Sequence, residues 1–391
     1  MLKSLKSLLL VCLYKRLNTR RNSQNNAKNH TFISLKHLCA LLILMSFVSA
    51  AGNIEHVNIG RIAVNDQSTN SQQKAGKLAL KQVFIKLSGN IDVVNENEIS
   101  KAIDNYEQFL IASSFIQQGQ NLVFEASFNQ AKVQSLLVAS GRNVWASLRP
   151  SAVIWLAIEN SENQKNIVYR SSFNDMAQNI DSKAFARGVE VVIPLGDLND
   201  AMNVSVYDVW NQFISKLQDQ SVRYNTDYLI SATVEQISES LATEKIPRDA
   251  THKLDYVITS ADFRRPKSVE TGRVFGRSEE AVVIELVDIY ANVLAEQFTL
   301  NTQSETGSQS IRAAISGIDS LADYVNMLAL IKSVPSVKNI KLIKQKNDIA
   351  LVEIDQKTSI AQLKSILLLD KRLSLDTTFQ QAEISFRWQG E

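Results

Sequence analysis

Apolar and polar residues follow three successive rhythms along this chain. Val57, Ile59, Arg61 and Ala63 alternate with His56, Asn58 and Ile62, the two-residue period of a strand. Ser68 and Thr69 then offer N-caps to a helix running through Leu87. Its apolar residues Ala75, Ala79, Val83 and Leu87 repeat every four positions, with Leu80 and Phe84 alongside, so one stripe is buried. Gly89 supplies the stop. A short helix near 96–104, strands at 108–116 and 121–128 around QQGQN, and a helix from Asn129 to Gly141 complete a β-α-α-β-β-α unit over residues 54–148.

A second rhythm opens at RPSAVIWLAIEN. The near-continuous apolar run 152–158 predicts a central strand covered on both faces. A helix at 175–187, a strand at 189–195, a helix at 206–217 and a strand at 227–234 follow. In the second helix Val206, Val209, Trp210, Phe213, Ile214 and Leu217 fall at helical spacing. Strands at 253–263 and 269–276 and a helix at 278–298 close the unit. The alternation predicts a mainly parallel α/β sheet with an antiparallel extension over 149–305.

The third rhythm occupies residues 310–391: strand, helix 319–333, strands 337–344 and 348–354, helix 358–369 and strand 382–388. That order is the ferredoxin-like split. The Ser/Thr/Gln/Gly-rich stretch 301–310 marks the boundary. The predicted fold is thus α+β and α/β in three consecutive units.

Charge changes the picture at the start of the chain. The 391 residues hold 42 Lys and Arg against 40 Asp and Glu, but residues 1–50 hold eight basic residues and no acid. Cys12 and Cys39 both lie there. The apolar run Leu38–Val48, followed by Ser49, Ala50 and Ala51, reads as a secretory signal peptide cleaved after Ala50. Its basic part is long, so a start assigned too far upstream and an Arg-rich transit peptide are competing readings, as is an uncleaved anchor. Without this leader, 34 basic face 40 acidic residues, a formal charge of −6, with no cysteine and two histidines, His56 and His252.

That composition excludes thiol chemistry and leaves little for histidine-rich metal binding. No HExxH, GxSxG or GxGxxG pattern occurs. Gly76-Lys77 resembles the end of a phosphate loop, but Ser71 stands where the first glycine belongs, inside a helix. The acidic cluster PLGDLND offers Asp197 and Asp200 as carboxylates at the end of a strand. Turn and capping chemistry accounts for them equally simply. Lys341 and Lys344, with Lys338 and Lys346, form a basic strand whose competing readings are an anion contact and a protected sheet edge. Arg264 and Arg265 mark a second basic surface. Trp145, between Gly141 and Pro150, is the tryptophan placed for surface contact, whereas Trp155 and Trp210 sit on apolar faces.

The blocks GRIAVNDQS, VFIKLSGN, RPSAVIWLAIE, IPLGDLND, VSVYDVWNQF and RYNTDYLISA, in that order, resemble the bacterial domain-of-unknown-function family 2066. The resemblance implies a Gram-negative envelope protein with no catalytic residues to carry over. The expectation is a periplasmic, non-enzymatic binding or adaptor protein, without cofactor or metal, whose partner is an envelope protein and not nucleic acid. Peripheral or tethered membrane contact goes with a retained signal. The enzymatic alternative is a hydrolase using Asp197 and Asp200.

Overall fold

A computed structural model describes residues 56–119, 121–172, 175–237, 246–261, 268–300, 309–379 and 382–390. The leader at 1–50, the stretch 301–308, and Arg264 and Arg265 lie outside the described residues. Residues 51–391 form one compact unit. Its described residues are mixed α/β, with ten α-helices and several sheets of mixed strand direction.

The first sheet is antiparallel, in the order β1 (Ile59–Val64), β3 (Asn121–Phe128), β2 (Leu110–Gln118). Helix α1 (Thr69–Ser88) lies across it. The Ser68 hydroxyl accepts the Ser71 amide at its start, and Gly89 ends it in the left-handed conformation with φ 75°. The stripe Ala75, Ala79, Val83 and Leu87 is buried, as its period demands. Helices α2 (Asn97–Asp104) and α3 (Gln130–Ala139) flank α1. Strand β1 crosses α1 closely. A Cβ on Gly60 would lie 2.4 Å from the Ala79 carbonyl oxygen, so only glycine fits.

The short strand β4 (Val144–Trp145) leads into the middle sheet. Its centre is β5 (Ser151–Glu159), buried on both faces as predicted by its apolar run. Ala152, Ile154 and Leu156 face one core; Val153, Trp155 and Ala157 face another. One edge of β5 is shared by β6 (Lys165–Ile167), antiparallel, and β7 (Glu190–Val192), parallel. Helix α4 (Met176–Arg187) links those two. On the other edge lie β8 (Tyr228–Gln236), parallel, then β9 (His252–Ser260) and β10 (Ser268–Gly276), both antiparallel. The expected antiparallel extension is present as β9 and β10, which follow β8 directly; the parallel part is smaller than expected, since only the β7–β5–β8 core is parallel and β6 adds an antiparallel strand beside it.

Helix α4 packs with α8 (Glu279–Phe298) over one face. The other face carries α5 (Leu198–Asn203), α6 (Val206–Trp210) and α7 (Ile214–Ser221). The single helix expected at 206–217 is two. A capping box between Ser205 and Asp208 starts α6, and Gln212 at φ 52° ends it, with the Phe213 amide donating back to the Asp208 carbonyl at 2.9 Å. This is a Schellman-type stop built on glutamine, which composition does not announce.

Strand β11 (Thr299–Leu300) pairs antiparallel with β4. The last sheet follows: β12 (Gln309–Ser316), β13 (Val337–Lys346), β14 (Ile349–Gln356), β15 (Leu373–Leu375) and β16 (Ile384–Trp388), in the order β13-β14-β12-β16-β15. Helices α9 (Leu321–Lys332) and α10 (Ile360–Leu367) supply its core with Met327, Leu330, Leu363 and Ile366. The four-strand ferredoxin-like expectation omits β15. That strand returns from α10 to the far edge, and β16 then inserts between it and β12, parallel to β12. At three residues, β15 is too short for periodicity to reveal.

Candidate functional site

Asp197 and Asp200 come together at the start of α5, on Arg223. The Asp197 carboxylate accepts the Asp200 amide at 3.0 Å and both terminal nitrogens of Arg223, at 2.9 and 2.6 Å. Asp200, buried, accepts the Gly196 amide at 2.9 Å, Arg223 at 3.0 Å and the Tyr224 hydroxyl at 2.6 Å. Hydrogen bonds from Arg223 and from the Asp200 amide hold the Asp197 carboxyl well below the usual carboxylate range. Burial, reinforced by Asp200, pushes the Tyr224 hydroxyl up. Every carboxylate oxygen here already accepts at least one hydrogen bond, so the pair builds a turn.

Trp145 is not on the surface; it is 1% exposed, which corrects its surface-contact role. It lies where three cores meet. Val144 belongs to the first core, Trp145 to the middle one, and Ala146 and Leu148 to the last. Arg149, also buried, sits at this junction. Its Nε donates to the Ala146 carbonyl at 3.0 Å, Nη2 to the Lys86 carbonyl at 2.6 Å, and Nη1 to the Gly188 carbonyl. Burial, with Arg187 nearby, lowers the Arg149 pKa to about 9.

Two further cations are buried close by. Lys86 Nζ donates to the Ile59 carbonyl at 2.8 Å and lies 3.3 Å over the Phe185 ring. Arg187 pairs with Asp288 and reaches Asn292 Oδ1 at 2.8 Å and the Gly89 carbonyl at 3.1 Å. Neither Lys86 nor Arg149 makes an ion pair among the described residues. Backbone carbonyls and aromatic rings replace carboxylates as their partners. The sequence reading misses all three, yet a signal exists. Lys86 follows Val83 by three positions, and Arg187 follows Ala184 by three, so each continues the apolar stripe of its helix. A polar cleft of about 590 Å³ opens beside this junction, lined by Gly89, Asn143, Asn292 and Thr299, with Arg142 paired to Glu96.

Lys341 and Lys344 lie on β13, an edge strand, with Lys338 and Lys346. Lys341 stands opposite Glu353, Lys344 opposite Leu351 and Lys346 opposite Ile349. Those partners alternate with Ala350, Val352 and Ile354, which face the core. Lys341, Lys344 and Lys346 therefore share the face turned away from the core. A bulge between Leu342 and Lys344 makes this so by resetting the alternation.

Exposed apolar side chains are concentrated in the α5–α7 segment. Of fifteen exposed large apolar side chains among the described residues, six lie in that one layer: Leu195, Leu198, Met202, Tyr207, Phe213 and Val222. Leu198 and Met202, one helical turn apart, are each 75% exposed. Among the described residues, no group of three or more His, Cys, Asp or Glu is placed to hold a metal ion. Nor is any described helix long and apolar enough to cross a membrane.

Comparison with known proteins places one part of the chain. The family model described as "Domain of unknown function (DUF8605)" matches residues 51–146. This corrects the resemblance to family 2066, which is a different domain of unknown function. The blocks GRIAVNDQS and VFIKLSGN that suggested family 2066 fall inside the matched stretch. Structurally they are strand β1, the end of α1 and its glycine cap, a grammar common to many α+β units. No curated protein matches the chain. Among solved structures, homoserine dehydrogenase of S. aureus aligns at 13% identity with a TM-score of 0.13. The alignment covers 50% of this chain and 52% of that one, so the chain spans about half the length of the solved protein. A likeness this slight carries no argument.

Proposed function

We propose that this chain is an exported, non-enzymatic binding or adaptor protein of the cell envelope, built as three units welded at Trp145 and Arg149. The observation that carries the reading is the concentration of exposed Leu195, Leu198, Met202, Tyr207, Phe213 and Val222 on one helical layer. Exposed apolar surface of this kind marks protein or membrane contact. The acid-free basic leader and the cysteine-free remainder support export. The hydrolase reading loses its candidates, because Asp197 and Asp200 are committed to Arg223, Tyr224 and backbone amides.

In-cell crosslinking of the tagged chain, with a photoreactive residue at Met202, tests this reading. The expected result is a discrete crosslinked protein partner in the envelope fraction. Recovery of the chain in the cytoplasm alone, with no crosslinked species, overturns it.

A further inference from the structure

We propose that the outer edge of β13 takes an acidic, extended peptide segment of a partner protein as an added strand. This rests on the adaptor reading above and names the partner's chemistry. Strand β13 is ten residues long and, among the described residues, is hydrogen-bonded on one side only, to β14. Its other side offers the main-chain donors and acceptors that a docking strand needs.

Charge decides what can dock. Lys338, Lys341, Lys344 and Lys346 are all exposed and make no ion pair among the described residues. No acidic residue occurs between Val337 and Lys346. Residues 51–391 carry a formal charge of −6, so this is a basic strip on an acidic body. A second copy of the same strand would set lysine against lysine and is disfavoured. A peptide bearing carboxylates is attracted.

Register decides the spacing. The bulge between Leu342 and Lys344 brings Lys341, Lys344 and Lys346 to one face at successive two-residue steps of β14. An added strand alternates faces with the same period, so carboxylates at positions i, i+2 and i+4 meet the three ammonium groups. Leu342 and Ile343, 38% and 45% exposed, lie between them. Here they give the apolar residues of the peptide something to cover.

The test uses the full chain and a fluorescent ten-residue peptide with Glu at alternate positions and Val or Thr between. Binding is followed by anisotropy. The peptide is expected to bind, and the variant K341Q/K344Q/K346Q to bind at least tenfold more weakly while melting like the parent. The peptide with Gln for Glu should also bind at least tenfold more weakly. Two peptides N-methylated at alternating sets of amides should differ, one losing binding and the other keeping it, because an added strand bonds through one edge. Absence of peptide binding overturns the proposal. So does unchanged affinity in the lysine variant, or equal binding of both N-methylated peptides. Preferential retention on phosphatidylglycerol vesicles over peptide overturns it in favour of a membrane surface. A partner captured at Met202 but never at a crosslinker placed at Lys344 overturns this inference and leaves the adaptor reading standing.

Discussion

The guanidinium of Arg149 lies 3.9 Å over the indole ring of Trp145, and both side chains are buried. This stacked pair sits at the meeting point of three hydrophobic cores. One planar cation bonds to the carbonyls of Ala146, Lys86 and Gly188, thereby joining the segment after β4 to the ends of α1 and α4. A guanidinium suits this role because its fork of donors is rigid and can reach several acceptors at once.

Arg149→Ala should therefore lower unfolding free energy by about 3 kcal/mol, since it strips buried carbonyls of their donor and opens a void. Arg149→Lys should recover little, because an ammonium cannot match the fork. Urea unfolding followed by far-UV circular dichroism measures both. A loss under about 0.5 kcal/mol, the level of an ordinary surface change, would sink the role assigned to Arg149.

Lys86 makes stability depend on pH in the alkaline range. Burial, then Arg149 and Arg61, lowers its pKa well below the ordinary lysine value. Between the folded and unfolded pKa values the unfolded chain holds more protons. Stability therefore rises as pH climbs through that window and levels off above about 10.4. In Lys86→Met this alkaline rise should flatten. Urea midpoints collected from pH 7 to 10.5 give the slope, and an unchanged slope in the variant would count against the assignment.

Asp197 and Asp200 should behave as structural residues. Asp200→Ala leaves the Gly196 amide and the Tyr224 hydroxyl without their acceptor, removes one of the hydrogen bonds of Arg223, and should cost about 2 kcal/mol. Asp197→Ala removes a helix cap and should cost about 1 kcal/mol. Thermal melts report these losses. Any hydrolytic activity of the purified chain should persist in a folded Asp197→Asn variant, and its selective disappearance would restore the catalytic reading.

Gly60→Ala should destabilise the packing of β1 on α1 by about 1–3 kcal/mol, because a Cβ meets the main chain of α1, which cannot step aside. Denaturant midpoints of the variant test this, and a neutral substitution would mean that β1 and α1 separate more easily than their packing indicates.

How much of this was legible in the sequence depended on length and period. The stripe of α1 and the doubly buried β5 were legible, because each repeats its pattern over several turns or pleats. Strands β4, β6, β11 and β15 were not, since two or three residues define no period. The break at Gln212 hid behind apolar spacing that stays helical across it. Trp145 looked available because it lies between Gly141 and Pro150, where local sequence suggests a loop. It joins a core that includes Tyr290 and Leu294 of α8, far along the chain, and no local pattern carries that information. The lysines of β13 were visible as a basic run, but the bulge that aligns three of them was not.

The pairing of Thr299 with Trp145 and of Leu300 with Val144 has a mechanical consequence. The chain enters the middle sheet beside the point at which it leaves. A load that draws the chain before Val144 away from the chain after Leu300 thus bypasses the long strands β5 and β8. It pulls on the two short strands from their outer ends, peeling one bridge and then the next. The stitch at Val144 and Leu300 is consequently the place where tension would first part the molecule, with the middle sheet still intact behind it.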